Sequence, residues 1–223
     1  MSVFEKINDE VFLLKVPFGA LWTGVILILD RKTGKKYLID SSQEAPGNTV
    51  VPALRAMGIE PTSIDYLLNT HCHGDHIGGH FGFVRDYGVK VVTYRNGAEK
   101  LKTPAANPVR KRFPAYSPQP QSTLQGVDAD LLVDEGEVFD GRLKLIHTPG
   151  HDDECVAWFD LPTSTLITGD SVQANGTPAQ GIGFYQDLDG YLSSLSKLEA
   201  LGAETLVAGH DYDGIGSVIR MVN

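Results

Sequence analysis

The chain has 223 residues, of which 42% are hydrophobic and 21% charged, and its formal net charge is −9. This composition is ordinary for a globular enzyme, and the length suffices for one large domain over residues 1–223. The acidic balance argues against a nucleic-acid-binding protein, which normally carries a basic surface. With two cysteines and no apolar run of about eighteen residues, we expect a reduced, cytoplasmic setting and no membrane span.

The first half of the chain alternates short apolar runs with one helical pattern before residue 60. The residues between the runs are polar or glycine, which favours turns at those places. The patterns predict strands at 11–16, 24–30, 37–39 and 64–68, and a helix at 48–57 that ends at Gly58. The strand at 37–39 is followed by Asp40, Ser41 and Ser42, whose groups can hydrogen-bond nearby ligands or cap a turn.

A run of metal-binding side chains follows the predicted strand at 64–68. It contains His71, His73, Asp75 and His76, four potential ligands within six positions. Two histidines that are two positions apart can turn to the same side of an extended segment. Imidazole and carboxylate together suit zinc, iron or manganese. The density of ligands predicts a metal site rather than a set of structural histidines.

After this run the pattern predicts a helix at 77–87 and a strand at 89–93, so a site would lie at the carboxyl ends of strands in an α/β layer. Residues 102–125 contain five prolines and form either a lid or a surface connection between two halves. The patterns in the second half of the chain predict the same order of elements as those in the first half, namely strands, then a helix, then a strand. Its strands are expected at 131–133, 137–139, 143–146, 155–159, 165–168 and 205–208, and its helix at 187–201.

Three further ligand candidates each follow a predicted strand of the second half. They are His151, Asp170 and His210, each preceded by a glycine. A single Gly-His or Gly-Asp pair after a strand is commonly just a turn. Together with the first run, however, they bring the number of potential ligands to seven. Two metal ions about 3.5–4 Å apart that share a carboxylate would use all seven.

This ordered set of ligands resembles the metallo-β-lactamase-fold hydrolase superfamily, in its glyoxalase II-like and lactonase-like branch. The resemblance covers essentially the whole chain. It implies a four-layer αβ/βα sandwich in which two mixed β-sheets are flanked by helices. It also implies that His71, His73 and His151 hold one metal and Asp75, His76 and His210 the other, with Asp170 between them.

The same resemblance implies a dinuclear metal-dependent hydrolase that uses a metal-bridging hydroxide. Such a hydroxide would attack an ester, thioester, lactone or similar carbonyl at neutral pH. Asp75 and Asp170 are the expected catalytic carboxylates, and Asp75 could also relay a proton. The expected cofactors are two divalent metal ions. Zinc is the preferred assignment, and iron and manganese are the alternatives.

Several branches of the superfamily differ from this chain at single positions. True β-lactamases of this fold usually have Cys or Ser where Asp170 stands, so an antibiotic-resistance enzyme is not expected. Glyoxalase II carries a C-terminal helical domain, whereas thirteen residues follow His210 here. Acyl-homoserine lactonases have Tyr at the position of Gln173, which puts lactone specificity in question.

Three alternative functions stay open beside this hydrolase. Persulfide dioxygenases resemble the chain around Cys72 and hold a single iron at positions matching His71, His151 and Asp170. A phosphodiesterase would use the same ligands. A binding module that has lost its metals is disfavoured, because no ligand is missing.

Substrate specificity must come from residues around the ligands. Phe184, Tyr185 and Tyr212 are the predicted substrate-binding residues, and the basic residues 110–112 could attract an anion or make an oligomer contact. We expect a small-molecule substrate, with no nucleic-acid or membrane partner, and leave a homodimer open.

Three further residues carry expectations of their own. Phe18 and Trp22 are expected in a glycine-containing loop, where members of the resembled superfamily have a flap. Cys72 is expected to be a small buried residue and not a ligand.

Overall fold

The computed structural model describes residues 2–19, 21–104, 124–173, 185–210 and 218–220. The chain divides into two compact units, residues 1–132 and 133–223. Each unit is built on one mixed β-sheet with helices, which confirms the predicted class of two mixed sheets with helices. The prediction of a single domain over residues 1–223 stays a prediction.

The first unit contains a seven-stranded sheet whose strands follow one another in chain order. The first four strands pair antiparallel, and β4, β5 and β6 pair in parallel. The strands are β1 (Glu5–Lys6), β2 (Val11–Phe18), β3 (Leu21–Leu29), β4 (Lys36–Ile39), β5 (Tyr66–Leu68), β6 (Lys90–Tyr94) and β7 (Leu131–Val133). The helices are α1 (Val50–Ala56), α2 (Gly74–Ile77), α3 (His80–Tyr87) and α4 (Ala98–Lys102), with 3-10 turns at Pro61–Ser63 and Arg95–Gly97.

Aliphatic side chains of the central strands form the main core of this unit. Leu14, Leu38 and Leu67 from three strands pack with Leu54 of α1 and Phe83 of α3, and all five are completely buried. Full burial of a leucine or phenylalanine side chain stabilises a fold by about 1.5–3 kcal/mol. This core therefore fixes the parallel strands whose carboxyl ends carry the first set of ligands.

The second unit contains a six-stranded sheet in the order β13-β12-β11-β10-β9-β8. Strands β11 and β12 are parallel, and the other neighbouring strands of this sheet pair antiparallel. The elements are β8 (Val138–Phe139), β9 (Leu143–His147), β10 (Val156–Asp160), β11 (Thr165–Gly169), α5 (Leu188–Glu199), β12 (Thr205–Ala208) and β13 (Val218–Arg220). The register of β11 and β12 shifts between Ile167 and Gly169, just before Asp170.

Two interactions hold the second unit together. Leu198 of α5 packs on Ile146, Leu166 and Leu206 of the sheet. At the other end of the strands, the buried guanidinium of Arg142 donates two hydrogen bonds to the Asp160 carboxylate, at 2.6 and 2.8 Å. Each of these two buried charges is therefore paired with the other.

Most predicted elements are found, within a few residues of the expected bounds. The prediction that Phe18 and Trp22 lie in a loop is wrong. Strand β2 extends to Phe18 and β3 begins at Leu21, and the two strands pair Pro17 with Trp22. The helix predicted at 77–87 corresponds to α3, which begins only at His80, because Gly78 and Gly79 separate it from α2. Most of the insertion predicted at 102–125 lies outside the described residues. Among those residues, no helix is long and apolar enough to cross a membrane.

Candidate metal centre

The first ligand set lies in the loop after β5 and in the short helix α2. His71 and His76 are buried, whereas His73 and Asp75 are partly exposed. The ring centroid of His71 is 4.6 Å from that of His73 and 4.1 Å from that of His76. Nε2 of His76 is 3.4 Å from a carboxylate oxygen of Asp75. Three imidazoles and one carboxylate are therefore gathered within one loop and the short helix that follows it.

Asp40 orients this set from the end of β4. Because β4 and β5 are parallel neighbours, their carboxyl ends meet, and this brings Asp40 next to Thr70. The Asp40 carboxylate accepts hydrogen bonds from the Thr70 amide at 2.7 Å and the Thr70 hydroxyl at 2.8 Å. Its Oδ2 also lies 2.8 Å from Nδ1 of His76. A carboxylate that holds Nδ1 of a histidine directs the opposite nitrogen, Nε2, towards a metal.

The first set therefore suits a divalent metal by the chemistry of its donors. Nδ1 of His71 lies 3.1 Å from the Thr70 hydroxyl, so His71 and His76 are both held at the same ring nitrogen. The Thr23 hydroxyl lies 3.5 Å from the Asp75 carboxylate, at the long limit of a hydrogen bond. Neutral imidazoles together with a carboxylate are ligands that zinc, iron and manganese accept.

A second layer of contacts lies behind these ligands. Ser41 Oγ is 2.7 Å from Nδ1 of His80, and both residues are buried. Burial, and then the charge of His76, lower the pKa of His80 from 6.5 to about 3, so this imidazole is neutral at physiological pH. Asp40 and Ser42 have φ values of +62° and +63°, a left-handed backbone that costs free energy for residues other than glycine.

The second ligand set lies in the second unit, after three strands of its sheet. His151 follows β9, Asp170 follows β11 and His210 follows β12. Nε2 of His151 is 3.4 Å from Oδ2 of Asp170, and Nε2 of His210 is 3.2 Å from Oδ1. Each oxygen of the Asp170 carboxylate thus faces a different imidazole, an arrangement that suits a carboxylate shared between two metal ions.

Gln173 holds His151 from the opposite side of its ring. The side-chain nitrogen of Gln173 lies 2.6 Å from Nδ1 of His151 and donates to the backbone carbonyl of Asp170 at 3.0 Å. The backbone amide of Gln173 donates to the hydroxyl of Tyr191 in α5, at 3.0 Å. Burial raises the pKa of the Tyr191 hydroxyl, so it stays protonated at neutral pH.

The structure thus gathers the seven predicted ligands into one cluster in each unit, and their roles as ligands stay predictions. Of the predicted substrate-binding residues, Tyr185 lies within the described structure and is 38% exposed. Its ring centroid is 5.9 Å from that of Tyr191. Phe184 and Tyr212 lie outside the described residues, as do the basic residues 110–112. The substrate-binding roles of these residues and the catalytic roles of Asp75 and Asp170 also stay predictions.

Sequence reasoning missed how some of the residues around the ligands act. Asp40 was expected to hydrogen-bond nearby groups, but its contact with His76 depends on a parallel strand pairing that no local pattern shows. Gln173 was noted only as the counterpart of a lactonase tyrosine. Its position three residues after Asp170, in the turn that follows β11, is the one available signal.

Neither cysteine is a ligand in the described clusters. Cys72 is completely buried and packs with Ile77, Val91 and Leu101, which confirms its predicted role as a small core residue. Cys155 is 1% exposed, and burial followed by the charges of Glu154 and Asp152 raises the pKa of its thiol well above the usual value.

Comparison with known proteins agrees with this picture. A family model described as Metallo-beta-lactamase superfamily matches residues 22–210. A beta-lactamase-like protein 2 homolog of Caenorhabditis elegans is 27% identical over 214 residues, which are 92% of this chain and 63% of that protein. A hydroxyacylglutathione hydrolase of Mesorhizobium japonicum is 31% identical over 192 residues, 84% of this chain and 62% of that protein. The chain thus spans somewhat less than two thirds of the length of these curated relatives.

A solved structure shows the same fold at lower sequence identity. A metallo-beta-lactamase family protein of Thermus thermophilus superposes with a TM-score of 0.72 and 23% identity, covering 92% of this chain and 75% of that chain. At this identity the likeness concerns the fold alone. The family model, in contrast, matches most of the sequence, including all seven predicted ligands. The chain belongs to the metallo-beta-lactamase superfamily.

Proposed function

We propose that the protein is a metal-dependent hydrolase that binds two divalent metal ions and cleaves thioesters, within a wider class of ester and lactone substrates. The observation that carries the proposal is the Asp170 carboxylate, whose two oxygens face two different imidazoles. Family membership supports the same chemistry. We propose zinc as the metal, with iron or manganese as alternatives, and a small molecule as the substrate.

The preference for a thioester comes from the names of the relatives. Similar proteins include several hydroxyacylglutathione hydrolases and, at 26% identity over 164 residues, an atrochrysone carboxyl ACP thioesterase of Aspergillus aculeatus. The acyl group of each named substrate is carried on sulfur. A thioester is also the most readily attacked member of the substrate class expected from the sequence.

The chain's own residues have distinct parts in this proposal. His71, His73 and His151 would hold one metal, with Asp75, His76 and His210 on the other and Asp170 on both. When bound, the two metals supply a water of lowered pKa and polarise the substrate carbonyl. Asp40 keeps the His76 proton on Nδ1, so Nε2 stays available as a ligand. Asp75 is partly exposed and can accept a proton on the solvent side.

The first experiment measures metal content by elemental analysis, alongside hydrolysis of thioester, lactone and phosphodiester panels. We expect close to two metals per chain and turnover of a thioester. We also expect Asp170→Asn and His71→Ala to abolish turnover while the circular dichroism spectrum is kept. The control is Asp86→Asn, because that carboxylate is exposed and pairs only with Arg85 in the described structure.

Three results would contradict the proposal. Full activity of Asp170→Asn without bound metal would exclude metal-dependent hydrolysis at this site. One iron per chain, with oxygen uptake on glutathione persulfide and no hydrolysis, would identify a dioxygenase. Cleavage of phosphodiesters alone would overturn the thioester assignment.

A further inference from the structure

Helix α5 turns one of its faces towards the loop that follows β9. Residues 190, 194 and 197 recur at the spacing that places side chains on one side of a helix. A Cβ atom added at Gly190 would lie 3.5 Å from the Pro149 carbonyl oxygen. The Ser194 hydroxyl donates a hydrogen bond to that same carbonyl at 2.7 Å, and the Lys197 ammonium donates to the His147 carbonyl, also at 2.7 Å. This face of α5 therefore runs along the start of the loop.

The next backbone carbonyls of the same loop are held by the two residues that precede α5. The Gly150 carbonyl accepts hydrogen bonds from the amides of Gln186 and Asp187, at 2.7 and 3.1 Å. The His151 carbonyl accepts from the side chain of Gln186 at 3.2 Å. With the Pro149 carbonyl, this makes three successive carbonyls that are held by the helix and the residues leading into it. The path of the loop up to its ligand is therefore set from one side.

Ser194 uses its hydroxyl outside its own helix. A serine within a helix can bond the carbonyl four residues before it, as Ser196 does with Leu192 at 3.2 Å. Ser194 instead reaches Pro149, two residues before His151, and is itself only 2% exposed. Because proline has no backbone N–H, its carbonyl is the one backbone group through which a hydrogen bond can hold it. The Ser194 hydroxyl therefore fixes the peptide unit that leads to His151.

This hydrogen bond bears on the position of His151 as a ligand. Nε2 of His151 faces the Asp170 carboxylate at 3.4 Å, and a metal tolerates deviations of only about 0.2 Å in its distances to ligands. Removal of the Ser194 hydroxyl takes the donor away from the Pro149 carbonyl, which can regain one by turning towards water. Such a turn displaces His151, whereas a bound metal holds His151 in place. The cost of the lost hydrogen bond then appears as weaker metal binding.

We propose that Ser194 is a positioning residue that holds His151 in the place required for metal binding, through its hydrogen bond to the Pro149 carbonyl. It acts on the backbone of the loop and is not itself a ligand. The inference rests on the proposed function, because it concerns a metal held by His151.

The test compares variants of the full chain by competition for zinc against a chromophoric chelator. His151→Ala first identifies which zinc affinity belongs to the site that contains His151. We expect Ser194→Ala to lower that affinity about tenfold, the change that corresponds to one net hydrogen bond. Ser194→Thr keeps the hydroxyl and is expected to bind zinc as the wild type does. The matched control is Ser196→Ala, the same change on the same helix, where the lost hydroxyl bonds the helix's own backbone and zinc affinity is expected to be unchanged.

Two further measurements separate positioning from a purely structural role. At saturating cobalt, we expect the visible absorption of the ion at the His151 site to change in Ser194→Ala and to be restored in Ser194→Thr, because this absorption follows the geometry of the ligands. Urea unfolding of the metal-free variants measures their stability. A purely structural role would lower the stability of metal-free Ser194→Ala without changing its zinc affinity or its cobalt spectrum.

Three results would overturn the inference. They are an unchanged zinc affinity in Ser194→Ala, an equal loss of affinity in Ser196→Ala, and a Ser194→Thr variant that is as stable as the wild type yet binds zinc as weakly as Ser194→Ala. The proposed function fails in a different way. If the wild-type protein binds no metal, the hydrolase proposal is wrong, whereas a loaded wild type with an unaffected Ser194→Ala contradicts only the inference about Ser194.

Discussion

At the scale of single residues, Asp40 contacts the histidine-rich loop at two points, although it lies outside that loop. One carboxylate accepts from the amide and hydroxyl of Thr70 and contacts Nδ1 of His76. The backbone of Asp40 is in the left-handed region, with a φ of +62°. Asparagine tolerates this conformation better than most residues, so the carboxylate can be changed with little added backbone strain.

We predict that Asp40→Asn weakens zinc binding at the first ligand set by about 10- to 100-fold, because the amide holds the His76 ring less strongly. The measurement is zinc affinity by chelator competition. The control is Asp30→Asn, since the Asp30 carboxylate accepts from Lys32 and Thr33 within a turn that contains no ligand. Equal zinc affinity of Asp40→Asn and the wild type would contradict the prediction.

The ligands themselves could be proposed from the sequence because they are dense and follow apolar runs. His71, His73, Asp75 and His76 occupy six positions, and no tertiary information is needed to see them. The contact between Asp40 and His76 spans 36 positions and exists because β4 pairs with β5. Local sequence patterns show the two residues but do not show that β4 pairs with β5. The contact between Asp40 and His76 therefore became visible only in the folded structure.

At the scale of secondary-structure elements, α5 lies against the loop that carries His151. A Cβ atom added at Gly150 would lie 2.4 Å from Cα of Tyr191 and 2.5 Å from its backbone nitrogen. The Gly150 carbonyl also accepts from the amides of Gln186 and Asp187, at 2.7 and 3.1 Å, just before the helix begins. Glycine is therefore required at this position by the close approach of a helix backbone.

We predict that Gly150→Ala lowers the free energy of unfolding by about 2–5 kcal/mol. About 1–2 kcal/mol comes from the backbone, whose φ is +141°, and about 1–3 kcal/mol from overpacking against α5. The measurement is urea unfolding of the metal-free protein.

Gly202→Ala is the control for the backbone contribution alone. Its φ is +62° and an added Cβ would meet no atom within 4 Å, so we expect a loss of only about 1–2 kcal/mol. If the two variants lose the same stability, the close approach of α5 is energetically unimportant.

The elements were predicted well where apolar residues recur with a clear period. The strand at 205–208 has the predicted bounds, and the helix predicted at 187–201 forms over Leu188–Glu199. The misplaced Phe18 and Trp22 show the limit of such patterns. Glycine at position 19 marked a loop, whereas the structure continues both strands to a tight turn there, with a φ of +59° at Gly19.

At the scale of the whole molecule, buried histidine couples stability to pH. The pKa of His80 is about 3 in the folded protein, because burial and then the charge of His76 disfavour its protonated form. The ordinary pKa of an exposed histidine is about 6.5. Between these values the unfolded chain binds a proton that the folded chain does not, so stability falls as the pH is lowered from 6.5 towards 3.

We predict that the metal-free wild type loses up to about 1.4 kcal/mol per pH unit more than His80→Asn when the pH is lowered from 6 to 5. The measurement is denaturant unfolding of both proteins at each pH. Asparagine can replace Nδ1 of His80 as a partner of Ser41 but does not titrate in this range. Parallel pH profiles of the two proteins would show that His80 is protonated in the folded state as readily as in the unfolded state.

Recognition of the superfamily from the sequence is confirmed, because the family model matches residues 22–210. The substrate could not be predicted to the same depth. Of the three aromatic residues proposed to contact it, only Tyr185 lies within the described structure. Substrate contacts arise from loops, whose conformations depend on many weak interactions and leave little trace in local sequence patterns.

The two thiols have a practical consequence for studying this protein. Cys72 lies in the first unit and Cys155 in the second, and both are shielded from solvent. A thiol becomes accessible to an alkylating reagent only when the surrounding structure opens. Mass spectrometry that distinguishes the two alkylated peptides therefore follows the opening of the structure around each thiol, within a single sample and without an introduced probe.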